Sequence, residues 1–227
     1  MIVLGIETAT YTGSVALVDE RHQFALYELG IRRTHSERLL KAIQCILEDT
    51  AFTLRDIQGI AVSIGPGSFT GIRIGLSTAK GLCFANNLPL AAVCTLDAMA
   101  SRFPFSRVPV CPMLDARKKE VYTALYDMKT EQPVPVLNPR VIGPDEFLED
   151  ISEPTLFLGN GALLYQERIV RKLGDGALFP PVHLSQPSSA AVARLGLGML
   201  QKGEQANLYE IEPIYLRMSE AQLARRG

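Results

Sequence analysis

The chain has 227 residues, 47% of them hydrophobic and 21% charged, with a formal net charge of −1 and a pI near 6.3. That size and apolar share suit one large or two small globular domains with a real core. The charge argues against strong nucleic-acid binding by this chain alone, because such affinity comes largely from Lys and Arg neutralising phosphates. No apolar run is long enough to span a bilayer, and Met1-Ile2-Val3 leads straight into a strand without the basic segment of a signal peptide. Cys45, Cys83, Cys94 and Cys111 are scattered among apolar residues, without paired or zinc-type spacing, so a cytoplasmic protein with reduced core thiols is expected.

In chain order, Ile2 to Thr8 reads as a strand, Ser14 to Val18 as a second and Phe24 to Leu29 as a third, joined by tight polar connections into an antiparallel meander. Thr34-His35-Ser36-Glu37 has the pattern of a capping box. Leu39, Leu40, Ile43, Ile46 and Leu47 follow at helical spacing, to about Asp49. A short capped turn at Thr53 to Asp56 precedes an apolar strand, Ile60 to Ile64. That strand stops at Gly65-Pro66-Gly67, and a helix runs from Thr70 through Asn86. A second set follows: strands at Val108 to Leu114 and Val121 to Asp127 around the charged turn Asp115 to Glu120, a third at Val134 to Ile142, and a short helix after Pro144. A strand at Thr155 to Leu158, a helix after Asn160 and a helix from Ser188 to Lys202 complete it. Phe179-Pro180-Pro181 and Gln186-Pro187 mark the return link.

Three antiparallel strands, a helix, a strand and a helix is the order of a ribonuclease H-like unit. Its apparent repetition predicts an α/β fold of the two-lobed, actin-like ATPase type. The N-terminal lobe is expected over residues 1–103, completed by a segment from 188–217, and a smaller second lobe over 104–187.

The glycine-rich turn is the first place to look for chemistry, since strand, tight turn and helix start point free backbone N–H groups at an anion. It is not a Walker A loop, because Thr70-Gly71-Ile72 stands where Gly-Lys-Ser/Thr is needed, nor a dinucleotide fingerprint, because Thr70 replaces the third glycine. Ser68 has no evident base and reads as a turn or capping hydroxyl. Glu7 ends the first strand where an acid of this fold could work on a metal-bound nucleotide. Ala9 and Thr10 intrude where the ATPases of the group rely on glycine, so Glu7, Thr8, Gly65, Gly67 and Ser68 read as degenerate phosphate loops. Asp97 is expected to decorate a short helix and Asp115 to fix the turn before Arg117. His22, His35 and His183 are far apart and Leu39 stands four residues after His35, so no protein-built metal site is expected. No Gly-x-Ser-x-Gly elbow is present.

The helix from Thr70 to Asn86 is apolar nearly all round. Ile72, Leu76, Ala79 and Cys83 share one face, Ile74, Thr78, Leu82 and Ala85 another, and Gly71, Gly75 and Ala79 form a ridge of small residues. Either the preceding helix covers the second face, or the two helices together offer an apolar surface to another protein; the pattern leaves both open.

Ile6-Glu7-Thr8-Ala9-Thr10 with Ser14-Val15-Ala16-Leu17, His35 to Leu40, Gly65 to Gly75 with Ala79 to Leu82, Leu114 to Tyr122, and Pro213 to Arg217 together resemble the bacterial TsaB family, also called YeaZ, of tRNA threonylcarbamoyladenosine biosynthesis proteins. The resemblance implies a degenerate relative of the catalytic subunit TsaD, with no catalytic residue and no metal. It implies no cofactor bound by the chain alone, ATP or ADP being left open at the partner interface. It further implies a scaffold that docks TsaD through its first two helices, at His35, Arg38, Leu39, Ala42, Ile43, Ile72, Arg73, Leu76 and Lys80. Threonylcarbamoyl would then pass from its adenylate to the adenosine beside the tRNA anticodon. TsaE is the expected further partner, tRNA is met through the complex, and two copies associate by the same surface when TsaD is absent. Two other classes compete: an actin-like ATPase acting on its own around Glu7, Thr8, Gly65, Gly67 and Ser68, and a metal-dependent peptidase, against which the missing second histidine counts. Whether Arg117, Lys118 and Lys119 touch TsaE or tRNA, or form a solvated turn, stays open.

Overall fold

Two short polar connections set the first sheet. Asp19 accepts hydrogen bonds from the backbone N–H groups of Arg21 and His22 at 2.7 and 2.6 Å and closes the turn between β2 (Gly13–Val18) and β3 (Gln23–Leu29). β1 (Val3–Glu7) pairs antiparallel with β2, from Val3 opposite Val18 to Glu7 opposite Ser14. The computed structural model describes residues 1–30 and 35–217, with the side chains of residues 35–37 outside the described set. The capping box expected at Thr34 to Glu37 therefore lies outside the described residues.

α1 (His35–Thr50) leads through the Thr53–Asp56 turn to β4 (Gly59–Ser63). In that turn Asp56 accepts from the Thr53 N–H at 2.8 Å and from its hydroxyl at 2.7 Å, as the sequence predicts. β4 runs parallel to β1, α2 (Phe69–Asn86) follows, and β5 (Leu90–Val93) adds a further parallel strand. The strand order is β3-β2-β1-β4-β5. Strand alternation divides the sheet into two faces. Val3, Ala16, Val18, Ala61, Ala91 and Val93 pack against Val192, Ala193 and Leu197 of the last long helix, Ser189–Gln201. Leu4, Ile6, Val15, Leu17, Ile60 and Val62 alternate with them and are buried on the face that carries α1 and α2. β1 and β4 are covered on both sides and are buried at every residue.

The second unit repeats this plan. β6 (Val110–Asp115), β7 (Val121–Asp127) and β8 (Val134–Ile142) form the meander, and β9 (Thr155–Leu158) and β10 (Ala177–Leu178) add parallel strands in the order β8-β7-β6-β9-β10. Cys111, Met113, Val121, Leu125, Phe147, Phe157, Ala162 and Ile169 form its core. The same strand order in both units is the duplicated ribonuclease H-like arrangement of the actin-like ATPase fold.

α3 (Thr95–Ala100) follows β5; α4 (Pro144–Leu148), α5 (Asn160–Leu164), α6 (Gln166–Leu173), α7 (Val182–Ser185) and α8 (Ser189–Gln201) complete the helices. The first unit comprises Met1–Ala98 with Pro187–Pro213, and the second Met99–Gln186 with the chain from Ile214. Residues 99–103 and 214–217 thus belong to the second unit, not to the first as the sequence reading had it. β5 and β10 were not expected. β5 is only Leu-Ala-Ala-Val, whose two alanines carry little strand signal, and β10 is two residues long. No described helix is long and apolar enough to cross a membrane.

Candidate functional site

The glycine loop and the β1–β2 connection are packed on one another. The Ser68 N–H donates to the Ala9 carbonyl at 2.6 Å. A β-carbon added at Gly67 would lie 2.4 Å from that carbonyl oxygen, so only glycine permits the approach. The Thr8 hydroxyl donates to the Gly71 carbonyl at 2.8 Å, and a β-carbon at Gly75 would sit 2.3 Å from the Thr8 oxygen. At Gly71 and Gly75 the small-residue ridge of α2 therefore admits Thr8. Ser68 is the N-cap of α2, its Oγ accepting from the Gly71 N–H at 3.2 Å, the capping role read from the sequence.

Glu7 lies beneath this loop with no solvent exposure. The Ala9 N–H donates to its Oε1, and the Ser63 side chain lies beside the carboxyl. Burial pushes the Glu7 carboxyl up from 4.5 to about 7, against a smaller opposing pull from hydrogen bonding to the Ala9 and Thr8 N–H groups and from the Ser63 side chain. Register explains this setting: Ser14 stands opposite Glu7 on β2, and Ser63 ends β4 on the other side. The Ser14 Oγ in turn accepts from the Ser189 N–H of α8 at 2.9 Å. Ser14 and Ser63 were not singled out from the sequence as site residues, and only the strand register would have found them; Ser189 was read only as a candidate cap of the last helix.

These groups do not fit a nucleotide phosphate with its Mg²⁺. The Ser68 N–H and both hydroxyls, Thr8 and Ser68, already have partners within the chain, and the one carboxylate is sealed. Among the described residues no three His, Cys, Asp or Glu side chains cluster as metal ligands. Burial also pushes the Cys83, Cys94 and Cys111 thiols up to about 12, so none is a thiolate nucleophile. Asp97 lies in the first turn of α3, and Asp115 accepts from the Arg117 N–H at 2.8 Å, the structural roles expected of them.

The two-helix surface differs from expectation. Leu39, Ala42, Ile43, Ile72 and Leu76 are all buried inside the first unit, Leu39 forming part of the floor of a surface groove. The physical reason is periodicity: Leu39, Ala42, Ile43 and Ile46 are spaced i, i+3, i+4, i+7, the stripe a helix turns toward its own core. Arg38 also turns inward, donating to the carbonyls of Leu29 at 3.1 Å and Tyr11 at 3.3 Å, and Lys80 reaches the Ile211 carbonyl at 3.4 Å. The His35 side chain is outside the described residues. Of the nine expected positions only Arg73 is described as exposed, stacked 3.8 Å over the Phe69 ring. What faces outward is a shallow groove between α1 and α2, rimmed by Leu40 (61% exposed) and Phe69 (40% exposed) with Arg73, Ile74, Ser77 and Thr78. Leu40 sits one position off the buried stripe and Phe69 opens α2. The sequence reading counts Leu40 with the apolar stripe of α1 and does not single out Phe69.

A family model described as TsaD, tRNA N6-adenosine threonylcarbamoyltransferase, matches residues 29–225 of the chain. The chain is 33% identical over 225 residues to the tRNA threonylcarbamoyladenosine biosynthesis protein TsaB of Bacillus subtilis, covering 98% of this chain and 96% of that protein. It is 32% identical over 231 residues to TsaB of Escherichia coli, covering 97% and 96%. Among solved structures, YeaZ from Pseudomonas aeruginosa aligns with a TM-score of 0.78 at 27% identity, over 95% of this chain and 99% of that one.

Proposed function

We propose, from the premise that this chain belongs to the TsaB (YeaZ) family of tRNA threonylcarbamoyladenosine biosynthesis proteins, that it serves the pathway as a scaffold with no catalytic residue of its own. One observation carries the reading. An apolar, solvent-facing groove between α1 and α2 stands on a unit whose phosphate loops are closed against each other. An exposed Leu and Phe beside an Arg are the anchors that protein interfaces favour.

The partner we assign to this groove is TsaD. Its family model matches most of this chain, so a sister chain would bring equivalent helices to the same contact. Docking would act by favouring one conformation of the catalytic subunit, with threonylcarbamoyl then passing from its adenylate to the adenosine beside the tRNA anticodon. TsaE joins the complex, and any ATP or ADP belongs at the partner interface. Without TsaD, two copies of this chain pair through the same groove. The place of work is the cytoplasm, where tRNA is modified.

The test is a binding titration of purified TsaD against this chain and its Leu40→Glu/Phe69→Glu variant, with thermal melting of both and ATP hydrolysis by this chain alone. The proposal expects complex formation lost at an unchanged melting temperature, and no turnover by the isolated chain. Wild-type affinity in the folded variant would remove the docking face. ATP turnover abolished by Glu7→Gln would instead support a free-standing ATPase.

A further inference from the structure

The turn between β6 and β7 is built in an unusual way. Arg117, Lys118 and Lys119 take φ values of 62°, 53° and 63°, three consecutive non-glycine residues in the left-handed region. Side chains with a β-carbon are strained there, and glycine, asparagine or aspartate are the usual occupants. Such strain persists only where the surroundings over-determine it, and here they do. Asp115 accepts from the Arg117 N–H at 2.8 Å, the Glu120 N–H donates to the Arg117 carbonyl at 3.0 Å, and the Ala116 N–H to the Glu120 carbonyl at 3.0 Å. From outside the turn, Asn160 accepts from the Asp115 N–H at 3.0 Å, and Arg217 both donates to the Ala116 carbonyl at 2.7 Å and pairs with Glu120.

The turn's charges are arranged in one sense. Its two acids are engaged, Asp115 on the Arg117 N–H and, at 3.9 Å, on the Arg117 guanidinium, and Glu120 on Arg217. All three cations, Arg117, Lys118 and Lys119, are exposed, and with Arg217 four bases stand against two acids. On a chain of net charge −1 this concentrates positive potential at one rigid point. Within residues 115–120 the one apolar side chain, Ala116, is buried. Protein interfaces are depleted in Lys and built on apolar anchors, whereas phosphate backbones are met by Arg and Lys without them.

We infer that Arg117, Lys118 and Lys119 form a contact site for the phosphate backbone of the tRNA substrate. The inference rests on the reading that this chain works within a tRNA-modifying complex and adds the element of this chain that touches the nucleic acid. Holding three long cations on a left-handed turn fixes their spacing in advance of contact. The contacts are to phosphate alone, so they position the RNA and read no sequence.

The experiment titrates an unmodified tRNA transcript into the reconstituted assembly at several salt concentrations. It compares wild type, Arg117→Gln/Lys118→Gln/Lys119→Gln, the corresponding triple glycine variant, and Lys129→Gln as an exposed single-charge control outside the turn. The site predicts affinity weakened about tenfold or more in both triple variants, and a slope of log K against log salt shallower by about two to three. The tRNA KM rises while kcat holds, and Lys129→Gln changes nothing. The glycine variant relieves the backbone, so it separates charge from folding: its melting temperature stays level or rises while binding falls. Unchanged affinity and slope in the triple variants, beside a wild type that binds and modifies tRNA, would overturn this inference alone. Loss of the protein assembly itself on size exclusion would assign the turn to an acidic protein face and overturn it too. A wild-type assembly that neither binds nor modifies tRNA would sink both this inference and the proposed function.

Discussion

Glu7→Gln isolates what the sealed carboxyl does to the fold. In the native protein burial raises this group from 4.5 to about 7, whereas in the unfolded chain it titrates near 4.5. The sign follows from proton counting. Below pH 4.5 both states hold the proton and stability is at its full value. Between 4.5 and 7 the unfolded chain releases the proton while the native chain keeps it, so stability falls as pH rises, and above 7 the loss is complete. The interval between 4.5 and about 7, at 1.36 kcal/mol per pH unit, gives a decline of roughly 3 kcal/mol, good to order of magnitude. Gln keeps the volume and an oxygen to accept from the Ala9 N–H but carries no titrating proton. Urea unfolding at intervals from pH 4.5 to 8.5 should therefore show the two proteins diverging, with the variant the more stable above pH 7 by about that amount. Parallel profiles would refute the reasoning, since they would mean that the carboxyl is hydrated or paired in solution.

Three further outcomes follow from the packing. Leu76→Glu places a charge at a buried site, so it should destabilise by several kcal/mol, about 3–5, and lower the melting temperature instead of simply releasing a partner; Leu40→Glu, on the exposed rim, should stay within about 0.5 kcal/mol of wild type. Gly67→Ala drives a β-carbon into the Ala9 carbonyl and should cost roughly 1–3 kcal/mol in a denaturant titration. Arg217→Ala removes two contacts that hold the β6–β7 turn, and amide hydrogen exchange should rise at Ala116 and Glu120 while β1 to β5 keep their protection.

The meander of each half was legible because its turns are marked by polar residues and its strands by apolar runs, so the duplicated topology could be named before any coordinates. The short parallel strand β5 was not, since Leu90-Ala91-Ala92-Val93 offers neither alternation nor branched residues in number. The capping serine of α2, Ser68, was readable from its place before Phe69. The two-helix expectation rested on the apolar stripe that identifies a helix, which is the stripe it buries at home, so Leu39, Ile43, Ile72 and Leu76 reported the core, while Leu40, counted with that stripe, is exposed and Phe69 was not singled out. Glu7's neutral setting depends on what stands opposite it across β1, β2 and β4, and pairing register is not written in local spacing.

The central claim is that this chain acts by being gripped at the outer groove of α1 and α2. It is tested most directly by mass-spectrometric measurement of threonylcarbamoyladenosine formed on a tRNA transcript by TsaD and its companion proteins, with the chain omitted, supplied as wild type, or supplied as the folded Leu40→Glu/Phe69→Glu variant. The account predicts modification with wild type only. Full modification with the variant, or with the chain left out, would contradict it.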